Sequence, residues 1–123
     1  MRTAWKVFSK GSNKKLYSVA VVRKALIRYK RGKKNYAPKW LREKGYHPLV
    51  FQRMKEALSF SKIVCGAVVE KVEVGEKMPL SPTCDADALC GGKIKPIPQL
   101  NWPEGTMMVK WVKPFKETEK KGD

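Results

Sequence analysis

Ile63-Val64-Cys65-Gly66-Ala67-Val68-Val69-Glu70-Lys71-Val72-Glu73-Val74 is the strongest strand signal in the chain. Val68, Val72 and Val74 share one parity and Lys71 and Glu73 the other, so a strand here has an apolar and a charged face. Just before it, Arg53 to Ser61 spaces Met54, Ala57 and Leu58 at helical intervals, which predicts the main amphipathic helix. Tyr46-His47-Pro48-Leu49-Val50-Phe51 leads into a brief strand. Pro38 to Gly45 reads as a second, short helix, with Pro at its first position, Gly past its end and Trp40 and Leu41 to dock it. Further upstream, residues 4–9 and 15–22 read as strands joined by a turn at Lys10 to Lys14. Residues 24–30 alternate, with Ala25, Ile27 and Tyr29 on one face and Lys24, Leu26, Arg28 and Lys30 on the other.

Downstream, residues 75–105 hold five of the eight prolines and read as a long Pro/Gly-rich loop. A last strand is expected at 106–115, with Met107, Val109, Trp111 and Phe115 on one face. Pro114 puts its end there or puts it on a sheet edge, which leaves homodimerisation through an exposed edge open. Lys116 to Asp123 is a charged tail. The order predicts an α+β fold in a single domain over 1–115: a mostly antiparallel sheet with one main helix on a face.

Charge is divided unevenly. Residues 1–60 hold 17 Lys and Arg against two acids, Glu43 and Glu56, whereas residues 61–123 hold ten against nine. Such a split in a chain of net charge +16 points to a polyanionic partner, nucleic acid or anionic lipid. The plainer reading is a lysine-rich, solvated surface. Heat adaptation, as in a thermophile, also enriches Lys and depletes Asn and Gln, which total five here, but it calls for matching Glu that the first sixty residues lack. No apolar run is long enough to span a bilayer, and no long basic amphipathic helix would lie on one, so a membrane partner ranks last. Met1 to Lys6 lacks the apolar core of a secretion signal, and a cytoplasmic location is expected.

Catalysis finds little support. His47 is the single histidine, and a nucleophile–base pair would need a serine or one of Cys65, Cys84 and Cys90 to approach it. These four residues are also the only zinc set, without the close-paired spacing of zinc knuckles or fingers. Cys65 reads instead as a small buried apolar residue, and Cys84 and Cys90 bracket a loop that a disulfide could close. Asp85 and Asp87 start like a calcium loop, a pattern that Leu89, Cys90 and Gly91 break. Glu70, Glu73 and Glu76 are the nearest carboxylate set for a metal nuclease, but a regular strand sends Glu70 and Glu73 to opposite faces. No phosphate loop or dinucleotide-binding glycine pattern occurs, and no catalytic residue, metal ligand or cofactor is assigned.

The most informative run is basic. Arg23, Lys24, Arg28, Lys30, Arg31, Lys33 and Lys34 fall within twelve residues with no acid before Glu43. Lys24, Arg28 and Lys30 share a face, and a step of two residues along a strand is about 6.6 Å, close to the separation of successive phosphates. Lys14 and Lys15 extend the patch if the first hairpin forms. Tyr29, Tyr36 and Trp40 are interleaved with the cations; Tyr36, in the turn, is the best stacking candidate, and the other two read better as core. Nothing resembles a helix-turn-helix, zinc finger or RNA-recognition signature, so binding to DNA or RNA is expected to be phosphate-dominated and weakly sequence-specific. The competing expectation is a protein adaptor or virion component that uses Met78, Leu80, Ile94, Ile97, Leu100 and Trp102 of the 76–105 loop.

Several patches together carry a resemblance: Leu26 to Gly32, Tyr36-Ala37-Pro38, Leu49-Val50-Phe51 with the helix after it, Val68 to Gly75, and Trp102 to Thr106. They resemble small uncharacterised proteins of prokaryotic viruses, prophages and their hosts, over roughly residues 5–115. The resemblance implies a small intracellular accessory protein, in the host cytoplasm if viral, and brings no site residues with it.

Overall fold

β1 (Thr3–Lys10) organises the molecule because both of its faces are buried along its middle. In the computed structural model, which describes residues 2–10, 15–18, 27–63, 66–80 and 102–116, its even residues Ala4 and Phe8 enter one core and its odd residue Val7 another. β2 (Leu16–Tyr17), β3 (Arg28–Tyr29), α1 (Lys39–Glu43), β4 (Leu49–Phe51), α2 (Met54–Ser61), β5 (Ala67–Val74), β6 (Lys77–Met78), β7 (Thr106–Val109) and β8 (Val112–Pro114) follow in chain order. The fold is α+β, with an eight-stranded antiparallel sheet and two helices among the described residues.

The pairings return on themselves. β1 pairs along one edge with β5, from Thr3 opposite Glu73 to Ser9 opposite Ala67. β5 pairs with β8, β4 with β7, and β4 with β1 again at Trp5 opposite Phe51. At the other end of β1, β2 pairs with it and then with β3. The chain after β3 reaches β8 through a bridge between Asn35 and Val112. The result is a ring of strands whose inner residues include Phe8, Leu16, Tyr29, Val50, Val72 and Val112. Phe8 and Tyr29 meet edge-on with centroids 5.2 Å apart, and each large apolar side chain buried here contributes about 1.5–3 kcal/mol. Outside the ring, α2 covers Val7 and Phe51 through Ala57 and Phe60, and α1 docks through Leu41 beside Tyr46 and Met108.

Some expectations change. β5 keeps Val68, Val72 and Val74 towards the main core, but it starts at Ala67, and Ile63 is exposed. α2 buries Ala57 and packs Phe60 on Phe51, whereas Met54 and Leu58 face solvent. The helix is turned from the expected stripe because an aromatic partner on β4 attracts Phe60. Pro38 stands at the N-cap of α1, one place before the helix. The 75–105 stretch contains a strand, β6, whose Lys77 pairs with Val109.

The expected last strand is two, β7 and β8. Met108 and Val109 are both buried because they fill different clusters on either side of the sheet, and the inward parity then flips to Val112 and Pro114, so Trp111 and Phe115 do not share the face of Val109 as expected. Pro114 does end its strand, but no open edge lies beside it. β5 flanks it on one side, and its carbonyl accepts the Gly32 N–H at 2.8 Å on the other.

Candidate nucleic-acid interface

The basic segment is built on β3 and its continuation. In β3, Tyr29 points into the core and Arg28 outward, and Lys30 follows Arg28 on the exposed side. Tyr17 is opposite Arg28 in the β2–β3 register, and one more step places Lys15 opposite Lys30. Opposite residues of an antiparallel pair project to the same face, so Lys15, Tyr17, Arg28 and Lys30 stand together on the outer wall. The chain then turns at Gly32, whose φ of +75° is a left-handed conformation that a side chain rarely adopts.

Asn35 holds this turn. Its buried side chain accepts the Lys30 N–H at 2.9 Å and donates to the carbonyls of Lys33 at 2.7 Å, Val112 at 3.0 Å and Lys30 at 3.1 Å. Its backbone exchanges both hydrogen bonds with Val112. The exposed Lys30, Lys33 and Lys34 therefore hang from a segment fixed at both ends by one amide side chain.

The Asn35–Val112 bridge is isolated, with Lys34 and Tyr36 flanking it on one segment and Trp111 and Lys113 on the other. Lys34 Nζ lies 4.7 Å from the Trp111 ring centroid, and the Arg42 guanidinium lies 5.8 Å from that of Tyr36. Trp111 rests on Gly75, where a Cβ would come within 2.5 Å of the indole nitrogen. Tyr36 is 42% exposed.

Of the residues singled out from sequence, Lys15, Arg28, Lys30, Lys33, Lys34 and Tyr36 all reach the surface around this segment. Arg28, Lys30, Lys33 and Lys34 have no carboxylate partner among the described residues. Lys14, Arg23, Lys24 and the cysteines Cys65, Cys84 and Cys90 lie outside the described residues. Arg31 does not belong to the solvated patch. Its guanidinium grips Glu70 in two bonds of 2.7 and 2.8 Å and donates to the Phe115 carbonyl at 3.0 Å, with both side chains largely buried. Glu70 shares the inward parity of Val72, so a cation had to meet it there. Tyr29 is core, and burial raises its pKa above the usual phenol range. Trp40 packs against the α1 cluster. Two apolar residues of the adaptor reading, Met78 and Trp102, pack on that same cluster, while Leu80 is exposed.

Residues not singled out from sequence also matter. Trp111 carries no sequence signal beyond its place in a strand, and its neighbourhood with Lys34 and Tyr36 is recognisable only once Val112 is bridged to Asn35. Lys6 is the more unexpected. It lies inside the ring, 3% exposed, and donates to the Leu49 carbonyl at 2.6 Å, with its ammonium 5.0 Å from the Tyr29 ring and 5.7 Å from Phe8. Burial lowers its pKa to about 7. The rings favour the charged form, but by about 1–2 kcal/mol each they do not outweigh full desolvation. The signal for it was its parity, shared with Ala4 and Phe8.

Among the described residues no group of His, Cys, Asp and Glu is placed to hold a metal ion, and no helix is long and apolar enough to cross a membrane. Glu73 lies 4.0 Å from Lys113, Glu76 lies 3.5 Å from Lys110, and Glu70 is held by Arg31, so the three carboxylates of the nuclease reading do not converge. Partial burial and the Arg42 charge lower the pKa of His47, whose Nδ1 is buried without a hydrogen-bond partner. No protein-family model, no curated protein and no solved structure matches the chain.

Proposed function

We propose that this chain is a non-enzymatic nucleic-acid-binding accessory protein that holds DNA or RNA through its phosphates, with little sequence preference, in the cytoplasm (the host's, if the protein is viral). One observation carries the reading: Arg28, Lys30, Lys33 and Lys34 are exposed without carboxylate partners among the described residues, on a segment that Asn35 pins to the sheet. A flexible cation pairs with phosphate best when its backbone is already fixed, because less entropy is lost on binding. With several such cations in sequence the affinity is electrostatic and falls as salt displaces the advantage of counterion release.

The test is a salt series. Binding of single- and double-stranded DNA and RNA is measured by fluorescence anisotropy from about 50 to 300 mM monovalent salt. Affinity should drop steeply and linearly on logarithmic axes. Replacing Lys30, Lys33 and Lys34 together by Gln should reduce the slope by about two for a single strand, at about 0.7 per phosphate contact. Absence of binding at the lowest salt refutes the proposal. A slope unchanged by the triple replacement removes this segment from it.

A further inference from the structure

We infer that the ligand is single-stranded, and that Tyr36 and Trp111 form an aromatic platform on which its bases stack, with Lys34 moving from the indole face to a phosphate as a base arrives. This deepens the reading above and rests on it. Three observations bring it within reach. The first is the pairing itself: the isolated Asn35–Val112 bridge brings together the two chain segments that carry Tyr36, just after Asn35, and Trp111, just before Val112. The second is that the two rings are already flanked by positive charge, Lys34 over Trp111 and Arg42 beside Tyr36. A cation over an indole is a weak contact at an exposed site, about 0.5–1 kcal/mol, so a base that stacks for about 1–3 kcal/mol displaces it. The displaced ammonium stays tethered near the incoming strand, whose phosphates it can meet.

The third observation is the support under the indole. Gly75 leaves room for Trp111 to lie flat against the β5–β6 backbone, where a Cβ would push it away, and the Gly75 N–H donates to the Trp111 carbonyl at 3.0 Å. One face of the ring is backed by Gly75, and the Lys34 ammonium stands over the ring. A duplex hides its base faces inside the stack, so this platform offers it nothing beyond phosphate contacts, whereas every base of a single strand presents a π face. The predicted discrimination is therefore single over double strand and not one sequence over another.

The probes are an oligothymidine of about twelve nucleotides, a hairpin duplex of equal charge, and an abasic deoxyribose-phosphate oligomer of the same length, all at low salt. The oligothymidine is expected to bind about tenfold or more tighter than the abasic oligomer and to quench tryptophan emission, and the duplex to behave like the abasic strand. Tyr36→Ala, at an exposed ring, and Trp111→Phe should each shrink that advantage by about three- to tenfold, while the abasic affinity stays the same. Trp111→Phe should also remove the quench. Equal affinity for the three probes, with no quench that depends on Trp111, overturns the platform and leaves the phosphate reading standing. Failure of all three to bind overturns both.

Discussion

The positive charges inside the ring and those on its outer wall obey different rules. Inside, each cation has its own solution: Lys6 has a carbonyl and two aromatic faces, and Arg31 has a carboxylate held by two bonds. On the outer wall, Arg28, Lys30, Lys33 and Lys34 are exposed and meet no carboxylate among the described residues. The difference teaches that a count of Lys and Arg mixes two populations. The inner one governs stability and responds to pH, and the outer one governs encounter with a polyanion and responds to salt.

The largest test of this division is pH. Lys6 has a folded pKa of about 7 against an ordinary value of 10.5, so between these values the unfolded chain carries a proton that the folded one lacks. Stability should therefore rise as pH goes from about 7 towards 10.5, and be at its lowest, for this group, below 7. The effect is several kcal/mol, seen in chemical denaturation at a series of pH values. Glu70 faces Lys6 across the β1–β5 register but is turned to Arg31. Lys6→Met should flatten the rise and leave the salt slope of nucleic-acid binding as it was.

Next is the ion pair. Arg31→Ala leaves a largely buried carboxylate without its guanidinium and should lower stability by about 3 kcal/mol in the same assay. The double change Arg31→Leu with Glu70→Leu should recover most of the loss. If Arg31→Ala instead weakens binding with stability unchanged, the division between inner and outer cations fails at that residue.

Asn35 tests the boundary, because it is buried while the charges it positions are not. Asn35→Ala removes four side-chain hydrogen bonds, takes that partner from the Lys30 N–H and the Lys33 carbonyl, and should cost about 2 kcal/mol. Unlike the inner cations it should also weaken polyanion binding, because Lys30, Lys33 and Lys34 lose their fixed base. Smallest is Lys110→Gln. Lys110 lies 3.5 Å from Glu76 with both side chains exposed, and its loss should change stability by less than about 0.5 kcal/mol and binding not measurably.

Much of the fold was legible because its signals are local. The valine face of β5 and a short helix between Pro38 and Gly45 can each be read from a few neighbouring residues, although β5 starts only at Ala67 and Pro38 stands one place outside the helix. What was illegible depends on partners distant in the chain. Phe60 wins over Met54 and Leu58 because Phe51 is across from it, and β7 breaks from β8 because clusters on both sides of the sheet compete for Met108 and Val109. The site divides the same way. Lys30, Lys33 and Lys34 could be read from charge alone. Arg31 could not be separated from them, since its partner is 39 residues away, nor could Trp111 be joined to them, since Asn35 and Val112 are 77 apart.

The circular pairing of strands bears on how the polypeptide acquires its shape. Thr3 meets Glu73, Val72 meets Pro114, and Leu49 meets Met108, so no short fragment owns a complete interior. Folding must wait until nearly the entire polypeptide is present, and the high sequence separation of its pairings makes the search slow. Truncation that removes β1 or β8 should accordingly yield a collapsed, unstructured chain and not a smaller folded unit.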